Sequence, residues 1–466
     1  MKNIQWITFS LILIFTVIIN GQAQHSIYAI QNVSIIPMTK DNKIIEKATI
    51  LIVKNKIVSI NEAVPDSAIL LDGSGKWLVP GFVDMHIHGL ADINFGSNYP
   101  TKGASMFFDT QDAMTPFIAN GVTTVLDLNS RVEHFGQRNE INRGSVIGPR
   151  MALAALLDGG DSDYGRIVNT PESGRQAVRS VKAEGYDFIK AYSHLNKETF
   201  LAIIDEANDH GIKVIGHIPG AFKGQLGEAF VPGFSMVAHA EEFSRFSITY
   251  SDEDALYYAK LSKVNGTWLM PTLTTMVWIA SQARSLDEIK SLESLQYMHP
   301  LMQSKWLHYN SYNNNSSPEF IAYADSLVLF HKKMVRIFKE LGVPIVIGTD
   351  AGNTGVAYGF SVHDEMELLV EAGLTNEEVL ISATRLPSEW LGINDKIGSI
   401  EPGKFADLVL LEDNPLVDIK NTRRIAGIFV NGRWVDKATI DSMLLNLSQR
   451  NTKELNKYDW KKRKEY

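Results

Sequence analysis

Hydrophobic and polar positions keep three different rhythms along this 466-residue chain. Lys2 is followed by a nearly unbroken apolar run over 6–19, and the small residues Gly21 and Ala23 precede a cut ahead of Gln24. That run is short for a membrane span, and the layout predicts a bacterial secretory signal peptide over 1–23. From 28 to 71 the apolar positions alternate in short stretches. Ala48-Thr-Ile-Leu-Ile-Val53 and Ile57-Val-Ser-Ile60, broken at Lys54-Asn55-Lys56, predict a β-hairpin. The same texture returns at 406–411 and in Ile428-Phe-Val430, Asn431-Gly432, Arg433-Trp-Val435. Each terminal stretch is too small to stand alone, so the pattern predicts one composite β-sandwich built from 24–76 and 392–440.

Between them, over 77–391, the rhythm changes. Apolar, β-branched segments at 78–84, 122–126, 152–155, 188–191, 214–216, 236–238, 267–270 and 345–348 are separated by helix-like stretches. In one of these, over 197–210, Phe200, Leu201, Ile204 and Ala207 recur at helical spacing, and Gly211 and Gly342 mark helix stops. Eight such alternations predict an α/β fold, a (β/α)8 TIM barrel. The stretch 274–317, with Trp278, Trp306, Tyr309 and Tyr312, is too long for a barrel connector. Insertions at that end of a barrel serve as lids, as substrate walls or as plain surface excursions. Beyond Asp436 the chain turns helical and basic, ending Lys461-Lys-Arg-Lys464, which predicts a solvated tail over 441–466.

Composition narrows the chemistry. With 45% hydrophobic residues the chain can bury a large core, which excludes general disorder. Lys and Arg number 45 against 53 Asp and Glu, a net charge of −8, which argues against non-specific binding of nucleic acid or anionic membranes. No cysteine is present, so disulfides, thiolate zinc sites, iron–sulfur clusters, cysteine nucleophiles and lipoprotein attachment are all ruled out. An exported protein, periplasmic or secreted and off the membrane once the signal is cleaved, is the expectation. Any transition metal must be held by histidine and oxygen ligands.

Catalytic groups of a barrel sit where its strands end. The first predicted strand runs into His86-Ile87-His88, and two imidazoles at i and i+2 of an extended chain can reach one ion. The fifth ends in His217, the sixth in His239, the eighth in Asp350, and the fourth carries Lys190 where an apolar residue is routine. Singly these are weak signals, because a strand-end histidine is commonly a surface residue and an aspartate there commonly caps a helix. Together they put four histidines, one aspartate and one lysine at the ends of five strands. Tyr192, on the same face as Lys190, is a candidate substrate contact or a packed barrel tyrosine. His134 and His194 follow strands and are candidates to line the pocket, His363 belongs to the last helix, and Arg150 after Gly148-Pro149 is expected to tie the barrel together.

Leu78-Val-Pro-Gly-Phe-Val-Asp-Met-His-Ile-His-Gly89, Gly348-Thr-Asp-Ala-Gly352, Gly398-Ser-Ile-Glu-Pro-Gly-Lys-Phe-Ala-Asp-Leu-Val409 and Asp413-Asn-Pro-Leu416 resemble the metal-dependent amidohydrolase superfamily. Within it the chain is similar to the imidazolonepropionase-like and prolidase-like (Xaa-Pro dipeptidase) branch. The resemblance implies two divalent ions, zinc by default. His86, His88 and Asp350 would hold one, His217 and His239 the other, and Lys190, N6-carboxylated, would bridge them. It further implies a bridging hydroxide, with Asp350 as general acid and base, that hydrolyses an amide in a dipeptide or N-acyl amino acid. A mononuclear cyclic-amide hydrolase or deaminase of the imidazolonepropionase type is the alternative, and Lys190 discriminates, since one ion needs no bridge. Lactone or phosphotriester hydrolysis is a third chemistry open to the same pair. A non-catalytic descendant would show gaps among the ligands, and none is missing. Homo-oligomerisation stays open.

Overall fold

The computed structural model describes residues 27–89, 92–94, 105–162, 164–459 and 461. The expected signal peptide, and the basic run beyond Lys461, lie outside them.

Both chain ends build one sheet. Ile45–Val53 and Lys56–Ile60 pair antiparallel, and Lys54 takes the positive φ that the tight turn requires. Ile27–Ile35 lies against Ile45–Val53 on one edge and against Ile69–Asp72 and Trp77–Pro80 on the other. Leu408–Leu411 then pairs with Trp77–Pro80 and carries the hairpin Ile425–Val430/Arg433–Asp436. The product is an eight-stranded sheet whose core takes Ile30, Ile50 and Leu78 from one end of the chain and Leu408, Leu410 and Phe429 from the other. Neither set could cover its apolar face alone.

The strand expected over 78–84 proves to be two. Trp77–Pro80 belongs to the terminal sheet and Phe82–Ile87 opens the barrel, with Gly81 as the joint. A Cβ on Gly81 would stand 2.1 Å from Thr123 Oγ1, so only glycine lets the chain cross between the two bodies this close to the second barrel strand. Parallel pairing then runs in chain order through Val122–Asp127, Arg150–Asp158, Phe188–Ala191, Val214–Gly216, Phe234–Ala238 and Trp268–Met270. Segment 344–351 closes the ring. On one side Val346 N donates to Leu269 O at 3.0 Å, and on the other Asp350 N donates to His86 O at 2.7 Å and Met85 N to Ile347 O at 3.2 Å. The pairing there reduces to isolated bridges, so the eighth strand is the sparsest stave.

After the seventh strand the chain enters helix Leu273–Arg284 and returns through Pro300–His308 to the long helix Pro318–Glu340. Buried Glu365, on helix Ser361–Glu371, clamps this start by accepting from Leu273 N (2.9 Å), Thr274 N (2.7 Å) and Thr274 Oγ1 (2.7 Å). At the C-terminus the chain is docked as far as helix Lys437–Glu454 rather than solvated throughout. Ile440 and Leu447 are buried, Asn451 Nδ2 donates to Gln296 O and Met298 O, and Arg450 pairs with Asp112. Arg150 reaches Asp407 at 3.3 Å and so ties barrel to sheet, as does buried His363, whose Nδ1 lies 2.9 Å from Thr422 Oγ1. Among the described residues no helix is long and apolar enough to cross a membrane.

Candidate metal centre

The six residues singled out as ligands converge at the C-terminal mouth of the barrel, where all but the fully buried His86 line a cavity of about 440 Å³. His86 and His88 leave the first strand on one face. Their Nε2 atoms stand 3.0 Å apart, and Asp350 Oδ1 lies 3.2 Å from the first and 2.9 Å from the second. Lys190 Nζ, on the fourth strand, is 3.2 Å from His86 Nε2. The His217 and His239 ring centroids are 5.0 Å apart, and those of His239 and His86 are 4.7 Å apart. His239 and Asp350 both hold positive φ, 80° and 63°, a costly conformation for side-chain-bearing residues that concentrates at functional sites.

Surrounding groups decide which ring nitrogen is left for a ligand. His217 Nδ1 is engaged by Ser193 Oγ at 2.7 Å and Glu242 Oε1 at 3.2 Å, and its Nε2 is buried with no hydrogen-bond partner. Thr272 Oγ1 lies 2.8 Å from His239 Nδ1. Buried Asp84 accepts from His86 N, Thr349 N and Thr349 Oγ1, fixing the first and eighth strand ends side by side. Asp350 Oδ1 is likewise buried without a hydrogen bond. Nitrogen atoms facing one another across 3 Å, with a carboxylate between them and orphaned lone pairs around them, fit a cation. The ligand atoms of His86, His88 and Asp350 all lie within 4.8 Å of one another.

The electrostatics agree. Burial drives His86 and His217 well below the usual imidazole range and His239 down to about 3, so the rings are neutral, the form that binds metals. Burial opposes the Asp350 charge, but His86, His239 and His88 more than offset it and hold the group ionised. Lys190, 1% exposed, is pushed down to about 8, chiefly by burial. A neutral amine is the form that adds carbon dioxide, and the resulting carboxylate is an oxygen ligand where an ammonium is none.

Tyr192 lines the cavity and stacks on His217, with centroids 4.1 Å apart. His134 lines it too, its Nε2 3.0 Å from buried Asp127 Oδ2 and its Nδ1 accepting from Arg131 N. His194 is held instead by Asp158, and His363 touches none of the ligands. The insertion forms part of the wall through Met276, Ile279, Met302 and Trp306. Sequence reasoning missed Ser193, Thr272 and Glu242, which fix the two later histidines. Glu242 alone had a visible signal, as the second of an acidic pair two and three residues past a strand-end histidine. Burial raises it to about 7, against Arg245, which pairs with it at 2.9 Å.

Comparison with known proteins bears on this geometry. The profile described as "Amidohydrolase family" matches residues 77–435. A 5'-deoxyadenosine deaminase of Methanobrevibacter smithii is 22% identical over 428 residues, 86% of this chain and 88% of its own length. An ochratoxinase of Aspergillus niger is 24% identical over 393 residues, 74% of this chain and 72% of its own. Among solved structures, a Xaa-Pro dipeptidase with bound methionine in its active site superposes with a TM-score of 0.66. It is 24% identical and covers 88% of this chain and 100% of its own.

Proposed function

This chain belongs to the amidohydrolase family, and on that premise we propose that it is an exported, two-metal enzyme cleaving the amide bond of a small substrate, a dipeptide or an N-acyl amino acid. Family membership makes it a hydrolase of carbon–nitrogen bonds. The observation that supports the two-metal reading is Lys190. A buried amine, 3.2 Å from His86 and with its pKa lowered to about 8, suits a carboxylated bridge between two ions, a bridge that a single ion does not need.

His86, His88 and Asp350 would hold one ion, His217 and His239 the second, and Lys190 as a carbamate both. When bound, such ions supply an activated water and polarise the scissile carbonyl, zinc being the natural choice for imidazole and carboxylate ligands. The rest falls to the chain. The Asp350 carboxylate takes the proton of the attacking water and passes it to the departing nitrogen. Ser193, Glu242 and Thr272 keep the His217 and His239 rings in the required tautomer and orientation. Tyr192 and the insertion wall position the substrate and exclude bulk water.

The test is metal analysis and a dipeptide and N-acyl amino acid library on zinc-reconstituted protein. Two ions per chain and amide turnover are expected. One ion per chain supports the deaminase-type alternative, which the likeness to a deaminase keeps relevant. Uniform inactivity on amides with turnover of a lactone overturns the amide assignment. For export, the mature protein recovered outside the cytoplasm should begin at Gln24.

A further inference from the structure

Thr272 stands at the N-cap of helix Leu273–Arg284 and does not cap it. Threonine is a favoured cap because its hydroxyl accepts a backbone N–H of the first turn. That hydroxyl is turned instead to His239 Nδ1, at 2.8 Å. The residue is buried and holds the left-handed conformation, φ 48° and ψ 50°. For a β-branched side chain this region is a genuine outlier, and it persists only where the surroundings over-determine it.

Glu365 takes over the vacated cap. Its carboxylate, wholly buried, accepts from Leu273 N at 2.9 Å through Oε1, and from Thr274 N and Thr274 Oγ1, each at 2.7 Å, through Oε2. With the first two N–H groups of the helix satisfied from outside, nothing in that turn competes with the imidazole for the Thr272 hydroxyl. Further bonds tie the same turn to the ligand-bearing strand ends. His239 N donates to Met270 O at 2.8 Å, Ala240 N to Pro271 O at 3.0 Å, and Thr275 Oγ1 to Thr349 O at 3.0 Å, one residue before Asp350. Glu365 is not among the residues lining the catalytic cavity, so its effect on the chemistry passes through this turn.

We propose that Glu365 is a positioning residue for the metal centre: by capping helix Leu273–Arg284 from a distant helix it holds Thr272 in its strained conformation, and Thr272 fixes the His239 ring for the second ion. The role of that ion rests on the two-metal reading. The inference goes further in naming a remote carboxylate on which assembly of the site depends.

Two readouts separate positioning from plain support of the fold. The first uses metal-free protein with isotope-labelled histidine, His239 being assigned by its loss in His239→Gln. Its ring-nitrogen resonances should move alike in Glu365→Ala and Thr272→Val, while those of His134 and His194 stay in place. The second is zinc titration against a chromophoric chelator. Either variant should weaken one ion about 10- to 100-fold and leave the other within about twofold. The double variant should bind no more weakly than the worse single one, since both changes act through one hydroxyl. Glu365→Gln, which keeps one accepting oxygen, should fall between Glu365→Ala and the parent, and with Thr272→Val it carries the test if Glu365→Ala does not fold. Unmoved His239 resonances in the Glu365 variants, equal weakening of both ions, or additive losses in the double variant overturn the proposal. A parent that binds one zinc per chain overturns the two-metal reading instead, and the His239 resonances alone then decide the role of Glu365.

Discussion

Asp350 combines three features: positive φ, a buried oxygen without a hydrogen bond, and contact with both histidines of the first strand. Asparagine preserves its shape and one coordinating oxygen but removes the base. Asp350→Asn should therefore retain much of its metal while kcat falls about 100- to 10,000-fold. Elemental analysis beside steady-state kinetics checks this, and full loss of the metal would assign Asp350 a structural role. The convergence of these candidate ligands was legible in the sequence because a barrel sends catalytic groups to its strand ends, where each stands beside a run of apolar residues. Their supports were not. Ser193 and Thr272 reach histidines 24 and 33 positions away, and which loop atom meets which ring depends on how the loops pack. Tyr312 joins Tyr192 in one wall across a long separation in the chain, which no local pattern records.

Glu365 and Gly81 show how single positions organise neighbouring elements. Burial lifts the Glu365 carboxyl to about 7, although Thr274 and Leu273 donate to it. Its folded value exceeds its unfolded value of 4.5, so the folded state binds the extra proton and this group costs stability as pH rises from 4.5 through 7. Relative to the parent, Glu365→Gln should gain ground over that window, by at most about 3 kcal/mol. Urea unfolding at either end of the window reads it, and a difference independent of pH would show the carboxyl ionised throughout. Gly81→Ala forces a methyl against the Thr123 side chain and should cost about 1–3 kcal/mol in the same assay. The joint at Gly81 was invisible in the sequence because 78–84 is apolar on both sides of it, and apolar runs do not say which sheet they join. The docked C-terminal helix was unreadable for the opposite reason. Ile440 and Leu447 are its buried apolar contacts, too thin a stripe to stand out from the polar residues around them.

For the molecule as a whole, both ends of the chain share one core, and Arg150–Asp407 and His363–Thr422 fasten that core to the barrel. Sheet and barrel should therefore melt together, and two separate calorimetric transitions would show them to be independent. The alternation of strand and helix made this architecture readable, down to the eight barrel segments. It did not reveal how weakly the last is laced. The seam at 344–351 is stitched by a handful of backbone bonds, yet it carries Asp350, whose oxygen meets the histidines of the facing strand. A cation held there would act as a rivet across the seam, its binding energy spent on holding the cylinder shut. Adding a chelator should then speed amide hydrogen exchange at 344–351 and 82–88 ahead of the other staves, so that scarcity of metal in the surroundings would switch off turnover and mark the chain for proteolysis in the same event.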